Sequence, residues 1–399
     1  MSGLYNKNHK YIVVGEISMR GSIALVVVGY NRPRSMRRIL DSLNRAKYDY
    51  TEIPLMISID NSGDDSVRKE AESFQWKHGE KKLICHKERM GLRKHIISCG
   101  DLTEEYGAVM ILEDDLYVSP DYYNYAMKAL EKYGDHPKIA GISLNTKREL
   151  LESPYPFFPR HTGYDVYFQQ FASSWGQVWN RRMWTDFKKW YDQHPTLPWN
   201  VNVPLTVLNY PDTSWAKFYQ TYVVEQDKYY VFSYDSLTTN FGDAGEHFNH
   251  NSSAFQSVLF YGKKDYRMPE FEDGVKYDIF GEPVGLGEVL GVPEEELTCD
   301  LWGRKQLESY RRYLLTCVRK PYQSIRQYSM CMKPMELNIL EQIPGQDITL
   351  YDTSVNEGNA ESAQKSKIRY LEYGYGIING RDLLRWGLQK MKQKFGKKR

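Results

Sequence analysis

A doubly wound α/β fold on a mostly parallel sheet is predicted by three features of this sequence. These are uninterrupted β-branched runs, helical periodicity after each run, and polar clusters where the runs end. The run Ile23 to Val28 is apolar throughout, as a strand buried on both faces requires. It closes on Gly29-Tyr30-Asn31-Arg32-Pro33, turn chemistry, after which Met36, Ile39, Leu40 and Leu43 recur at helical spacing. Pro54 to Ile59 reads as a second strand ending on Asp60-Asn61-Ser62-Gly63, followed by a helix from Ser66 to Phe74. Leu83 to Cys85 is a short third strand. Gly107 to Leu112 runs directly into Glu113-Asp114-Asp115, and Pro120 to Tyr133 resumes helical periodicity. In doubly wound sheets ligands bind beyond the carboxyl ends of the strands, so Asn31, Asp60 and Asp115 should converge.

The remainder is less regular. Phe168 to Phe260 is rich in aromatics and reads as the second half of the same domain, whereas Gly262 to Leu297, with Pro269, Pro283 and Pro293, reads as a linker or loose wrap. Leu301 to Cys317 is expected to be helical, Asp347 to Leu350 a strand, and Glu357 to Lys367 a polar loop or surface helix. The expected division is a tail over 1–20, a catalytic domain over 21–262, a C-terminal α+β extension over 263–380 and a basic tail over 381–399. Within the catalytic domain, 21–145 forms the nucleotide half and 146–262 the acceptor half.

Composition narrows the classes. With 41% hydrophobic and 26% charged residues the chain belongs with folded proteins, not disordered or fibrous ones. A net charge of +2 gives no clustered basic field for DNA or RNA, so no nucleic-acid partner is expected. Five cysteines without a Cys-x-x-Cys pair indicate neither a disulfide framework nor a zinc site, and fit a reducing cytoplasm. Met1 to Met19 lacks the pattern of a secretory signal, and no later stretch has the length of a membrane span. The segment Arg381 to Arg399 places Leu383, Leu384, Trp386, Leu388, Met391 and Phe395 among eight Lys or Arg residues and one Asp. It reads either as a basic amphipathic helix on the anionic inner face of a plasma membrane or as a solvated tail.

The chemistry centres on Glu113-Asp114-Asp115-Leu116. Adjacent carboxylates repel one another and invite a cation. A hard divalent ion, Mn²⁺ or Mg²⁺, takes oxygen ligands and can join a carboxylate to two phosphates. An acidic turn on a solvated surface is the alternative.

The segments Val26 to Pro33, Ser58 to Gly63 and Glu113 to Leu116 resemble those of GT-A glycosyltransferases, above all the N-acetylglucosaminyltransferase I family, which carries the same acidic tetrapeptide. The likeness covers roughly Ile23 to Val258. It implies a GT-A fold and an inverting hexosyltransferase with a UDP-sugar donor, N-acetylglucosamine being the first sugar to test. It implies Asp115 as the metal ligand, Glu113 and Asp114 facing the nucleoside, Asp60 accepting from the uracil imide, and Asn31 and Arg32 beside the nucleotide. The stretch Arg89-Met90-Gly91-Leu92 would be a loop closing over base and ribose. For Arg32 and Arg89 a surface role, and for Asp60 a turn-forming role, remain open.

The family places its catalytic base shortly before a Trp, and Pro211-Asp212-Thr213-Ser214-Trp215 is the nearest counterpart, with a slightly different spacing. Asp212 is therefore the first choice, with Asp186, Glu225 and Asp243 as rivals. Ser173 to Trp179 resembles a Trp-Gly-x-x-x-Trp stretch of bacterial GT-A enzymes, one residue shorter. Trp175 stacks on sugar faces in that reading, with core filling as the alternative for both tryptophans and the expected role of Trp179. Asn240 to His247 resembles a glycine-containing loop whose His247 touches phosphate or metal, a structural histidine being the alternative. The expected acceptor is a glycan or lipid-linked glycan of bacterial surface polysaccharide synthesis. A nucleotidyltransferase would carry a Gly-rich, Lys/Arg-bearing loop after the first strand, absent here, and a catalytically silent carbohydrate-binding or scaffold protein would not need Asp60 and Asp115.

Overall fold

The computed structural model describes residues 22–146, 148–150, 156–197, 201–244, 253 and 256–357, with short pieces before 22 and after 369. The chain divides into two compact units, residues 1–147 with 159–279, and residues 148–158 with 280–399.

In the first unit, β1 (Ala24–Gly29) is buried along its whole length. It leads into α1 (Pro33–Arg45), which Pro33 opens with a φ already suited to a helix. Met36, Ile39, Leu40 and Leu43 turn inward from α1, as their spacing requires. Next come β2 (Leu55–Ile59), α2 (Ser66–Ser73), β3 (Lys81–Cys85) and α3 (Leu92–Asp101). The acidic segment ends β4 (Ala108–Glu113), with β5 (Leu116–Val118) and α4 (Tyr122–Tyr133) beyond it. On α4, Tyr123 exchanges hydrogen bonds with both backbone groups of Ile23, at 2.8 and 2.9 Å, and so fixes the start of β1.

The later elements are β6 (Ile139–Ser143), β7 (Val166–Gln169), β8 (Gln177–Asn180), α5 (Arg181–Gln193), α6 (Trp215–Glu225), β9 (Tyr229–Ser233), β10 (Thr238–Asn240) and β11 (Lys276–Tyr277). Asn180 caps α5 by accepting from the Met183 N–H at 2.9 Å. The large sheet runs in the order β11-β7-β9-β6-β8-β4-β1-β2-β3. Strands β3, β2, β1 and β4 are mutually parallel, and β8 enters antiparallel beside β4. The chain leaves β1 toward β2 on one side and returns to β4 on the other. The topological switch point, where such sheets bind ligands, therefore lies between the carboxyl ends of β1 and β4.

Two expectations change. The segment 263–279 is neither linker nor extension: Asp165 accepts from the Arg267 N–H at 2.6 Å, Tyr133 donates to the Pro269 carbonyl at 2.6 Å, and β11 pairs with β7. The boundary thus falls at 279/280, not 262/263, and 148–158 joins the second unit. Nor is 301–317 a helix. The buried Asp300 carboxylate gathers the N–H groups of Arg304 and Lys305 and the Tyr310 hydroxyl, curling the chain into a turn. Tyr313–Thr316 then forms a strand.

The second unit is built on β12 (Leu297–Cys299), β13 (Tyr313–Thr316), β14 (Tyr322–Tyr328) and β15 (Ile348–Asn356), in the sheet order β12-β13-β15-β14. The expected strand at 347–350 is present and continues to Asn356. Residues 358–367, expected to be polar loop or helix, lie outside the described residues, as does most of 381–399.

Candidate functional site

At the switch point the ends of β1 and β4 meet through charge. Arg32 follows β1, and its guanidinium spans two carboxylates: it pairs with Asp114 through two nitrogens, and Nη1 lies 3.0 Å from Asp115 Oδ2. Burial works against the guanidinium's charge, but Asp114 and Asp115 outweigh it and hold Arg32 firmly protonated. Burial also pushes the Asp114 carboxyl up to about 6, even against the pull of Arg32. Glu113 is raised as well, by desolvation first and then by the charges of Asp115 and Asp114. The site thus holds more negative charge than one guanidinium neutralises.

Asp115 shows where the surplus points. Its Oδ1 is buried and has no hydrogen-bond partner among the described residues. A buried, unsatisfied carboxylate oxygen is costly unless something cationic completes it. Among the described residues no cluster of three or more His, Cys, Asp or Glu side chains forms a metal cage by itself. Mg²⁺-type sites commonly use one or two carboxylates with substrate phosphates and water supplying the rest, and a single free oxygen at Asp115 fits that pattern.

Asp60, at the end of β2, is buried and its carboxylate is engaged with backbone. Oδ1 accepts from the N–H groups of Asn61 at 2.8 Å and Met90 at 2.7 Å, and Oδ2 from Gly91 at 2.9 Å. In this structure Asp60 therefore orders the 89–91 loop. Gly91 sits at φ +76° and ψ 157°, open to glycine but not to other residues. Exposed Arg89 lies over the Tyr30 ring, 5.1 Å from its centroid, so the loop also reaches the end of β1. Asn31 is exposed beside them. Beneath the loop, Ser58 bonds to the buried His95 ring at 2.7 Å.

Trp175 is partly buried at the edge of the core. Trp175 precedes β8, and its carbonyl accepts from the Thr238 hydroxyl at 2.5 Å. Trp179 is buried and donates to the Tyr230 hydroxyl at 2.7 Å, a core role. His247 lies outside the described residues.

The four candidate bases separate by environment. Asp186 is paired with Arg182 and Lys228, and Glu225 accepts from the Trp190 indole and faces His194. Asp243 is gripped by Arg38 and by the Ser35 hydroxyl; burial opposes its charge, yet these bonds hold its carboxyl below the usual range. Asp212 differs, its side chain 94% exposed and touched by Lys217 at 3.0 Å. Its carbonyl accepts from Arg93 at 2.8 Å, which ties the 211–214 turn to the start of α3, just after the Asp60-bound loop.

One contact set was not anticipated. Strand β10 pairs with β5, and the Phe241 N–H donates to the Asp115 carbonyl at 2.9 Å. Arg38 lies 3.9 Å from the Phe241 ring centroid while binding Asp243. Helix α1 and the segment 240–243 thus brace the acidic turn from both sides. Their only sequence signal was the Asn-Phe-Gly-Asp stretch itself, since the partners are more than 200 positions apart.

No family model matches the chain, and no curated protein matches it significantly. Among solved structures it is similar to the mannosyltransferase PcManGT from Pyrobaculum calidifontis, in complex with GDP-Man and Mn²⁺, at 16% identity over 57% of this chain and 59% of that one, with a TM-score of 0.36. It is also similar to S. aureus TarS 1–349 in complex with UDP-GlcNAc, at 13% identity over 57% and 60%, with a TM-score of 0.37. Both neighbours are glycosyltransferase structures, and the chain matches about three fifths of the length of each.

Proposed function

We propose that the first unit is a glycosyltransferase that moves a sugar from a nucleotide-diphosphate donor, first of all a UDP-sugar, to a hydroxyl of a glycan acceptor with inversion. The observation that carries this reading is the buried Oδ1 of Asp115, without a partner among the described residues, at the switch point of a doubly wound sheet. A Mn²⁺ or Mg²⁺ ion held there would stabilise the negative charge building on the departing diphosphate.

The chain's own residues supply the rest. Arg32 fixes the Asp115 carboxylate so that one oxygen stays free. Asp60 sets the 89–91 loop against the nucleoside position, with Arg89 and Asn31 on its rim. Trp175, partly exposed at the edge of the core, offers an aromatic face suited to a sugar ring. Asp212 takes the proton from the acceptor hydroxyl as the new glycosidic bond forms and the diphosphate leaves from the opposite face. Asp212 is itself paired with Lys217, but its greater exposure favours it over the three rivals, because a base must be reachable by an incoming acceptor.

A scan of UDP-sugars for slow hydrolysis by the protein identifies the donor. Asp212→Asn should lower transfer by 100-fold or more while leaving UDP binding within twofold. Equal loss of UDP binding would remove Asp212 from the base role, and no hydrolysis or transfer with any nucleotide sugar would favour a silent sugar-binding protein.

The C-terminal segment extends the reading to a peripheral association with the inner face of the plasma membrane, where a lipid-linked glycan would be met. Leu384, Leu388 and Met391 are exposed at helical spacing in a segment rich in Lys and Arg. No helix among the described residues is long and apolar enough to cross a membrane. Deleting residues 381–399 should release the protein from vesicles containing phosphatidylglycerol, and unchanged binding would refute the attachment.

A further inference from the structure

The second unit contains a cavity of about 160 Å³ that the transfer chemistry does not use. It is lined by Arg319, Lys320, Gln327, Gln346, Thr349 and Tyr351, with Asp347 and Cys317 alongside. At about 30 Å³ for each water in the liquid, the space equals about five waters, the scale of one pyranose unit.

The lining is unlike a gap left by imperfect packing. Two cations, two amides, a hydroxyl and a phenol face one another across the end of the β13-β15-β14 sheet. Gln327 and Thr349 are cross-strand partners on one face, with the Gln327 amide 3.5 Å from the Thr349 hydroxyl. Their remaining donors and acceptors are the type that bind sugar hydroxyls.

Lys320 is held in place. Its ammonium donates to the Tyr310 hydroxyl at 2.9 Å, Tyr310 donates to the buried Asp300 at 3.0 Å, and the Lys320 N–H donates to the Tyr351 hydroxyl at 3.3 Å. That chain fixes one wall before any ligand arrives, which lowers the ordering cost of binding. Arg319 stands exposed at the same cavity and makes no hydrogen bond or ion pair with another described residue. Asp347, the one carboxylate of the lining, already accepts from the Met330 N–H at 3.2 Å. The cavity therefore carries excess positive charge beside sugar-sized polar space, and a free guanidinium matches a planar or tetrahedral anion.

We propose that this cavity is a saccharide-binding site for an anionic sugar unit, one bearing a carboxylate or a phosphate, and that it binds the acceptor glycan. The acceptor assignment rests on the glycosyltransferase reading; the binding itself does not.

Ligand-observed NMR with the full-length protein tests it, using glucuronate, glucose 6-phosphate and glucose as probes. At least one of the two anionic sugars should bind at least tenfold more tightly than glucose, and which one does so separates a uronate from a phosphosugar. Arg319→Ala should abolish that binding and Arg319→Lys should restore part of it, whereas Asp115→Ala should leave it unchanged. Binding of none of the three, equal binding of glucose, or binding that survives Arg319→Ala would each overturn the proposal. UDP binding by Arg319→Ala should match wild type, so failure at this cavity is distinguishable from failure of the donor site.

Discussion

Arg32 Nη1 stands 3.0 Å from Asp115 Oδ2, while Oδ1 of the same carboxylate is buried with no partner among the described residues. A fixed cation on one oxygen leaves the other to a different partner, and under the proposed function that partner is an exchangeable cation.

Arg32→Ala removes the guanidinium that joins two buried carboxylates and should destabilise the protein by about 3 kcal/mol, the scale for breaking a buried pair from one side. Saturating Mn²⁺ should then raise the melting temperature of the variant more than that of wild type, because the ion meets a larger charge deficit. Differential scanning fluorimetry with and without Mn²⁺ reads this directly, and equal metal effects on both proteins would contradict it.

Asp60→Asn replaces an all-acceptor group by one with a donor edge, so one of the Met90 and Gly91 N–H groups must face an N–H. The expected result is a loss of about 2 kcal/mol in stability and at least tenfold in UDP affinity, measured by denaturation and calorimetry. A drop in stability with UDP affinity intact would restrict Asp60 to a structural role.

Gly91→Ala probes the same loop through backbone conformation alone. Nothing lies within 4 Å of an added Cβ, yet φ +76° with ψ 157° is a region alanine resists. A cost of about 1–3 kcal/mol is expected, taken largely from loop order. Gly107→Ala, at φ +78° and equally open, is a control distant from the nucleoside position: it should reduce stability without a separate effect on UDP binding.

His95 provides a pH dependence. Burial, helped by the charge of His86, depresses the ring to about 4 from an ordinary 6.5. The folded protein thus binds fewer protons than the unfolded chain between those values, so stability is complete above 6.5 and is lost as pH falls toward 4. The loss should reach about 2–3 kcal/mol, and His95→Gln should flatten that part of the curve. Parallel curves for wild type and variant in urea titrations from pH 4 to 7 would remove His95 as the cause.

Much of the donor half was readable in the sequence because strands buried on both faces must be continuous apolar runs. Ile23 to Val28, Pro54 to Ile59 and Gly107 to Leu112 correspond to β1, β2 and β4 within about one residue, and Arg32 after the first joins Asp114 and Asp115 after the last. The C-terminal unit was less legible. Tyr313-Leu314-Leu315 suits either helix or strand, and the decision came from Asp300 curling the preceding chain, a tertiary effect. The Arg38–Asp243 contact and the sheet position of 276–277 were hidden for the same reason: each depends on a partner far along the chain. The partners of Asp60 were also invisible, since an Asp-Asn-Ser-Gly turn does not reveal that its carboxylate reaches residues 90 and 91.

The most direct test is calorimetry of UDP with the wild-type protein and with Asp115→Ala, each with and without Mn²⁺. The free Asp115 oxygen predicts that Mn²⁺ tightens UDP binding to wild type by tenfold or more and leaves the variant unaffected. Equal UDP affinity with and without Mn²⁺ in the wild type, or the same enhancement in both proteins, would contradict it.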